Sequence, residues 1–140
     1  MNRNYEIIEG IYLVQGSYKL DLHNNYDFKR LGYSVAERKL VLSWERSIRD
    51  SVGGDMPKSL AIEFNDVSEF RFMPRDSSVP FTEDDCVASV GYLVGEDWAA
   101  GIITVAPDQS AETHWLTAIE FMSGAVLAVQ AGSANAKIET

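Results

Sequence analysis

Between Asp76 and Ala136 the chain has no lysine and no arginine. Nucleic-acid binding draws on a basic face that displaces counterions, so this span excludes that function class. The same argument sets it against anionic membranes. Cysteine is reduced to one, Cys86, which excludes an internal disulfide framework and any cysteine-only zinc site. No apolar run approaches the roughly 18–20 residues that cross a bilayer, and the longest, around Ala125 to Val129, is strand-sized. Met1 to Gly10 lack the basic start and apolar core of a secretory signal, so a cytoplasmic protein is expected. The recognised catalytic loops are missing too: no Gly-x-Ser-x-Gly elbow, no Walker phosphate loop and no Gly-x-Gly-x-x-Gly turn. No cofactor is expected, and a non-enzyme is favoured.

What is present is a chain of 140 residues, 46% hydrophobic and 11% aromatic. That is one domain with enough apolar surface for a core without disulfide or metal. The formal charge is −9. Residues 1–75 hold 11 basic and 11 acidic side chains, while 76–136 hold nine acids. The whole excess is therefore in the second half. Complementary fields select and accelerate partners, so a basic protein partner is the positive reading. Solubility alone is the alternative.

Hydrophobic periodicity is mostly two. Leu40, Leu42 and Trp44 alternate with Val41, Ser43 and Glu45, and Leu60, Ile62 and Phe64 with Ala61, Glu63 and Asn65. Phe70 and Phe72 share a face, as do Cys86, Ala88, Val90, Tyr92 and Val94, and Trp115, Thr117, Ile119 and Phe121. Tyr5–Glu9 and Ile11–Leu22 read as one or two bent strands, and Trp98–Ala106 as another. About nine short strands with turns every 8–12 residues predict a mostly β, antiparallel sandwich or barrel-like domain over residues 1–131. The small, polar residues 132–140 are expected to fray. Helical spacing also fits residues 40–48 and 110–122, which keeps an α+β fold with one helix open. Ala61-Ile62-Glu63-Phe64 recurs as Ala118-Ile119-Glu120-Phe121, an echo that common strand alternation explains.

Three constellations bear on chemistry. Glu83-Asp84-Asp85 and Glu96-Asp97 form two acidic turns expected to flank the Cys86–Val94 strand, and these five residues are the candidate partner contacts. Trp44, Trp98, Trp115 and Tyr92 are the candidate lining of an apolar ligand pocket, the alternative function being a small-ligand-binding β-barrel. Asp21-x-His23 and Glu112-x-His114 would approach a metal site only if their strands were neighbours, and solvated sheet-edge residues are the plainer reading, so no metal is expected. Homodimerisation is compatible with each, since an open sheet must cover or pair its edges.

Three stretches carry a family likeness: Tyr26-Asp27-Phe28 through Leu40-Val41-Leu42-Ser43-Trp44, then Ala61 through Val67, then Ile119 through Ala125. Their layout resembles small bacterial immunity-type proteins that neutralise polymorphic toxins. In those a strand pair with F-x-x-V, here Phe64-Asn65-Asp66-Val67, and a late F-x-x-G hairpin, here Phe121-Met122-Ser123-Gly124, recur. The likeness covers about half the chain and transfers no binding residue. It implies a cytoplasmic, non-enzymatic binder, often acidic because many such toxins are basic nucleases.

Overall fold

Alternation of large apolar and small or polar side chains builds the first sheet. In the computed structural model, which describes residues 1–48, 56–94, 101–106 and 109–140, strands β5 (Tyr26–Ser34), β6 (Lys39–Arg46) and β7 (Ser59–Asn65) pair antiparallel. The register sets Leu40 opposite Phe64, Leu42 opposite Ile62 and Trp44 opposite Leu60. All six side chains are buried on one face. Val41, Ser43 and Glu45 face outward beside Glu63, Ala61 and Ser59. Residues 40–48 therefore contain a strand, because a central strand with neighbours on both sides buries every second residue.

The same sheet is completed by the two ends of the described chain. β12 (Ser133–Glu139) pairs antiparallel with β7 along seven residues, and β1 (Asn2–Arg3) lies parallel to β12. The C-terminal segment is thus an interior strand and not a frayed tail. Ala134 and Ala136 pack opposite Phe64 and Ile62, where their small size matches the bulk across the ladder. The Asn4 side chain locks this join, accepting from the Ala136 N–H at 2.7 Å and donating to the Ala136 carbonyl at 3.3 Å.

The second sheet runs β8 (Glu69–Met73), β11 (Val126–Gln130), β10 (Leu116–Phe121) and β9 (Val87–Leu93), all antiparallel. β10 is the strand where helical spacing had also fitted. Ile119, Leu127, Val129, Val90 and Tyr92 of this sheet enter one core with the first sheet. Its other face carries Gly91, Ala118 and Ala128, a shallow strip that Ile102 fills. Only two isolated bridges come from 101–106, Ile103 to Tyr92 and Val105 to Ile8, so the described part of that segment is a cover and not a full strand. Gly91 is what permits this, because a Cβ there would stand 2.3 Å from the Ile103 carbonyl oxygen and 2.7 Å from Ile102 Cγ2. Gly91→Ala is expected to cost about 1–3 kcal/mol through overpacking, seen as a lower urea midpoint at unchanged slope.

A three-stranded meander, β2 (Glu6–Ile8), β3 (Tyr12–Gln15) and β4 (Tyr18–Asp21), closes the remaining side of the core with Ile7, Leu13 and Leu20. Its first turn uses positive φ at Glu9 and Gly10. Among the described residues the one helical piece is a short 3₁₀ turn, Phe81–Asp85, so the fold is mostly β, with no α-helix among them. None of the described residues forms a helix long and apolar enough to cross a membrane.

Candidate functional site

Among the described residues the first and second sheets end on the same side of the molecule in the edge strands β5 and β8. At one end these strands are tied, the Tyr33 and Phe70 rings stacking with centroids 5.9 Å apart. At the other end they part over a groove of about 430 Å³, lined by Phe28, Phe72, Pro74, Phe121, Ala125 and the buried Ser123, with Arg75 and Asp84 at its mouth. Its floor is aromatic: Phe28 lies 5.0 Å from Phe121 and 5.2 Å from Trp44, the latter edge-on. Phe72 is 57% exposed, and Phe81 beside the mouth is 81% exposed. Aromatic rings at such exposure are what a folded chain normally hides.

The mouth is built by the stretch between β8 and β9. Arg75 donates through Nε to Asp84 Oδ1 at 2.9 Å, bonds the Val79 carbonyl through Nη2, and places its guanidinium 4.7 Å from the centre of the Phe81 ring. Asp76 donates its N–H to the Ser123 carbonyl at 2.8 Å, while its carboxylate accepts from the Ser78 N–H and hydroxyl. Met122 donates its N–H to the Cys86 carbonyl at 2.8 Å. The 3₁₀ turn, the Asp76 turn and the Ser123-Gly124 turn therefore form one end of the molecule. Asp76, Glu83, Asp84 and Asp85 stand together there, with Glu120 exposed on the last turn of β10.

Bonding to Arg75, and secondarily to the Ser123 hydroxyl, holds the Asp84 carboxyl below its ordinary range. Bonding to Ser78 does the same for Asp76. A depressed folded pKa contributes stability above the unfolded value and loses it as pH falls through the folded one. The Arg75–Asp84 clamp is thus intact at neutral pH and opens only in acid. Arg75→Gln is expected to raise the Asp84 carboxyl back toward the ordinary carboxylate range, which side-chain carboxyl NMR across an acid titration would read directly.

Of the five acids expected to contact a partner, Glu83, Asp84 and Asp85 are together in the 3₁₀ turn ahead of β9, while Glu96 and Asp97 lie outside the described residues. Asp84 is committed to Arg75, the cation standing one residue before the acidic span begins. Of the four proposed pocket aromatics, the three described ones do not line one pocket together. Trp44 and Tyr92 are fully buried in the core, Tyr92 accepting the Ile7 N–H on its hydroxyl at 3.2 Å. Trp115 packs 6.0 Å from the Tyr92 ring, and Trp98 lies outside the described residues. None of the three described ones lines the groove, whose phenylalanines, Phe28, Phe72 and Phe121, come from three separate strands.

The histidines do not meet. His23 Nδ1 lies 2.6 Å from the Val87 carbonyl at the start of β9, and since a carbonyl only accepts, that nitrogen carries the proton. Asp21 is spent on the turn, accepting from the His23 and Asn24 N–H groups and the Asn24 amide. His114 pairs with Glu112 at 3.4 Å, next to the residues that face Leu93 at the far end of β9. Seven residues of strand separate the two ends by about 20 Å. Among the described residues no group of three or more His, Cys, Asp or Glu is placed to hold a metal.

The groove's one cation and one carboxylate neutralise each other, which leaves an apolar lining beside a cluster of acidic residues. No family model matches this chain, and no curated protein or solved structure does.

Proposed function

We propose that the chain is a non-catalytic protein-binding domain that takes a basic partner at the acidic end of the molecule, with immunity-type inhibition of a basic toxin as the specific form of this reading. The observation that carries it is the adjacency of an open phenylalanine-lined groove to Asp76, Glu83 and Asp85 in a chain of net charge −9. An apolar centre supplies affinity when a partner side chain fills it. A charged border supplies encounter rate and choice of partner. The two features lie side by side here, and the one cation in the border, Arg75, is already paired with Asp84.

The test is retention of proteins from the native host on the immobilised chain, at low and high salt. The comparison is a variant carrying Asp76→Asn, Glu83→Gln and Asp85→Asn, with Asp84 left in place to keep Arg75 seated. A basic protein retained by the wild type in about 0.05 M salt, and released by either 0.5 M salt or the triple variant, is the expected result. Retention indifferent to both would contradict the reading.

A further inference from the structure

Among the described residues the three sheets present six outer strands, and five of them are already dealt with. β9 is bridged by Ile103 and β2 by Val105. β1 has only two residues. β5 is interrupted by a bulge between Phe28 and Arg30 and displays Lys29 and Arg30, both exposed, and β4 carries exposed Lys19. Bulges and edge lysines are the usual devices that stop a strand from recruiting another. β8 has neither: its ladder to β11 is regular through all five residues, and Phe72 and Met73 stand exposed on it. Its Arg71 is drawn back onto Glu69 of the same strand. This is the edge that borders the groove.

We propose, resting on the reading above, that the partner is taken as an extended segment added antiparallel or parallel to the free edge of β8. One inward apolar side chain is seated between Phe28, Phe72 and Phe121, and flanking lysines or arginines reach Asp76 and Glu83. Strand addition satisfies the unpaired backbone groups of the edge, while alternate side chains select sequence. Period-two alternation in the partner would send its apolar residues into the groove and its basic ones outward. A second copy of this chain is the wrong occupant. The arginines nearest its own β8, Arg71 and Arg75, are already engaged by Glu69 and Asp84, and two copies would each bring a net charge of −9.

The test uses the full chain, ¹⁵N-labelled, with four heptapeptides as probes. One is Lys-Val-Lys-Leu-Lys-Val-Lys, and two are its N-methylated forms, blocked along one backbone edge or the other. The fourth is Lys-Gly-Lys-Ser-Lys-Gly-Lys, equal in charge without apolar side chains. The parent peptide is expected to slow amide exchange in Glu69–Met73 by about tenfold and to shift Phe28, Phe72 and Phe121. One N-methylated form should lose at least tenfold in affinity while the other keeps it, because only one edge of a strand faces β8. Equal binding by both forms, or shifts centred away from β8, overturns strand addition. If the glycine-serine peptide nevertheless perturbs Asp76 and Glu83 in a salt-sensitive way, the acidic-end reading survives alone. If no peptide perturbs that end at low salt, both fall. A sedimentation mass of a dimer formed through β8 without peptide would also overturn the proposal.

Discussion

Truncation after Gly132 is expected to abolish cooperative unfolding. The deleted residues look dispensable by composition, but β12 stands between β7 and β1 and is bound from both sides. Its removal strips a seven-residue ladder from β7, takes from β1 the strand it pairs with, and deletes two alanines that complete the core opposite Phe64 and Ile62. It also strands Gln15, whose side chain donates to the Ala136 carbonyl at 2.9 Å, and Lys58, whose N–H donates to the Glu139 carbonyl at 2.8 Å. At about 1 kcal/mol net for each lost backbone hydrogen bond, plus the exposed core, the loss reaches the order of 5 kcal/mol or more. Domains are stable by about 5–15 kcal/mol in total. Far-UV circular dichroism through a urea series checks this, and a sharp transition near the full-length midpoint would show that β12 contributes little.

Trp44→Ala is the second large effect, expected at about 3–5 kcal/mol. Trp44 is the largest fully buried side chain among the described residues, on the central strand β6, opposite Leu60 on one side and Phe28 on the other. Truncation there opens a hole at the middle of the sandwich, beneath the groove floor, where Phe28 leans on the indole. Trp44→Phe is expected to lose much less. It keeps an aromatic face for Phe28 and removes an indole N–H that is buried with no acceptor. Urea midpoints of both variants give the comparison. A loss below about 1 kcal/mol for Trp44→Ala would mean that this position is not the core the packing describes.

How far these features are written in the chain follows from what makes each one local. Leu40, Leu42 and Trp44 against Leu60, Ile62 and Phe64 are legible because both strands alternate strictly and follow each other in the chain. Helical spacing also fitted Leu40 and Trp44 because positions i and i+4 lie on one face of a strand as well as of a helix. β12 is illegible for a different reason. Ala134 and Ala136 are too small to announce a buried face, and the parallel pairing to β1 depends on residues more than 130 positions away. The acidic span is plain from composition, yet the fate of Asp84 depends on Arg75, one residue outside it. The groove is the least legible part. Phe28, Phe72, Asp84 and Phe121 are brought together only when two sheets stack with β5 and β8 on the same side, and no single stretch encodes that. The one local hint is Phe72 sharing a face with Phe70 just ahead of Pro74, a strand that ends with an aromatic ring still exposed.

The most direct test of the account is a hydrogen-exchange footprint of the chain in complex with the basic protein it retains. Protection is expected to centre on Glu69–Asp76, Phe81–Asp85 and the Phe121–Ala125 turn, and to diminish in the Asp76→Asn, Glu83→Gln, Asp85→Asn variant. A footprint on the outward face of the first sheet, over Arg30, Ser43 and Ala61, would contradict it and move the interface to the opposite side of that sheet.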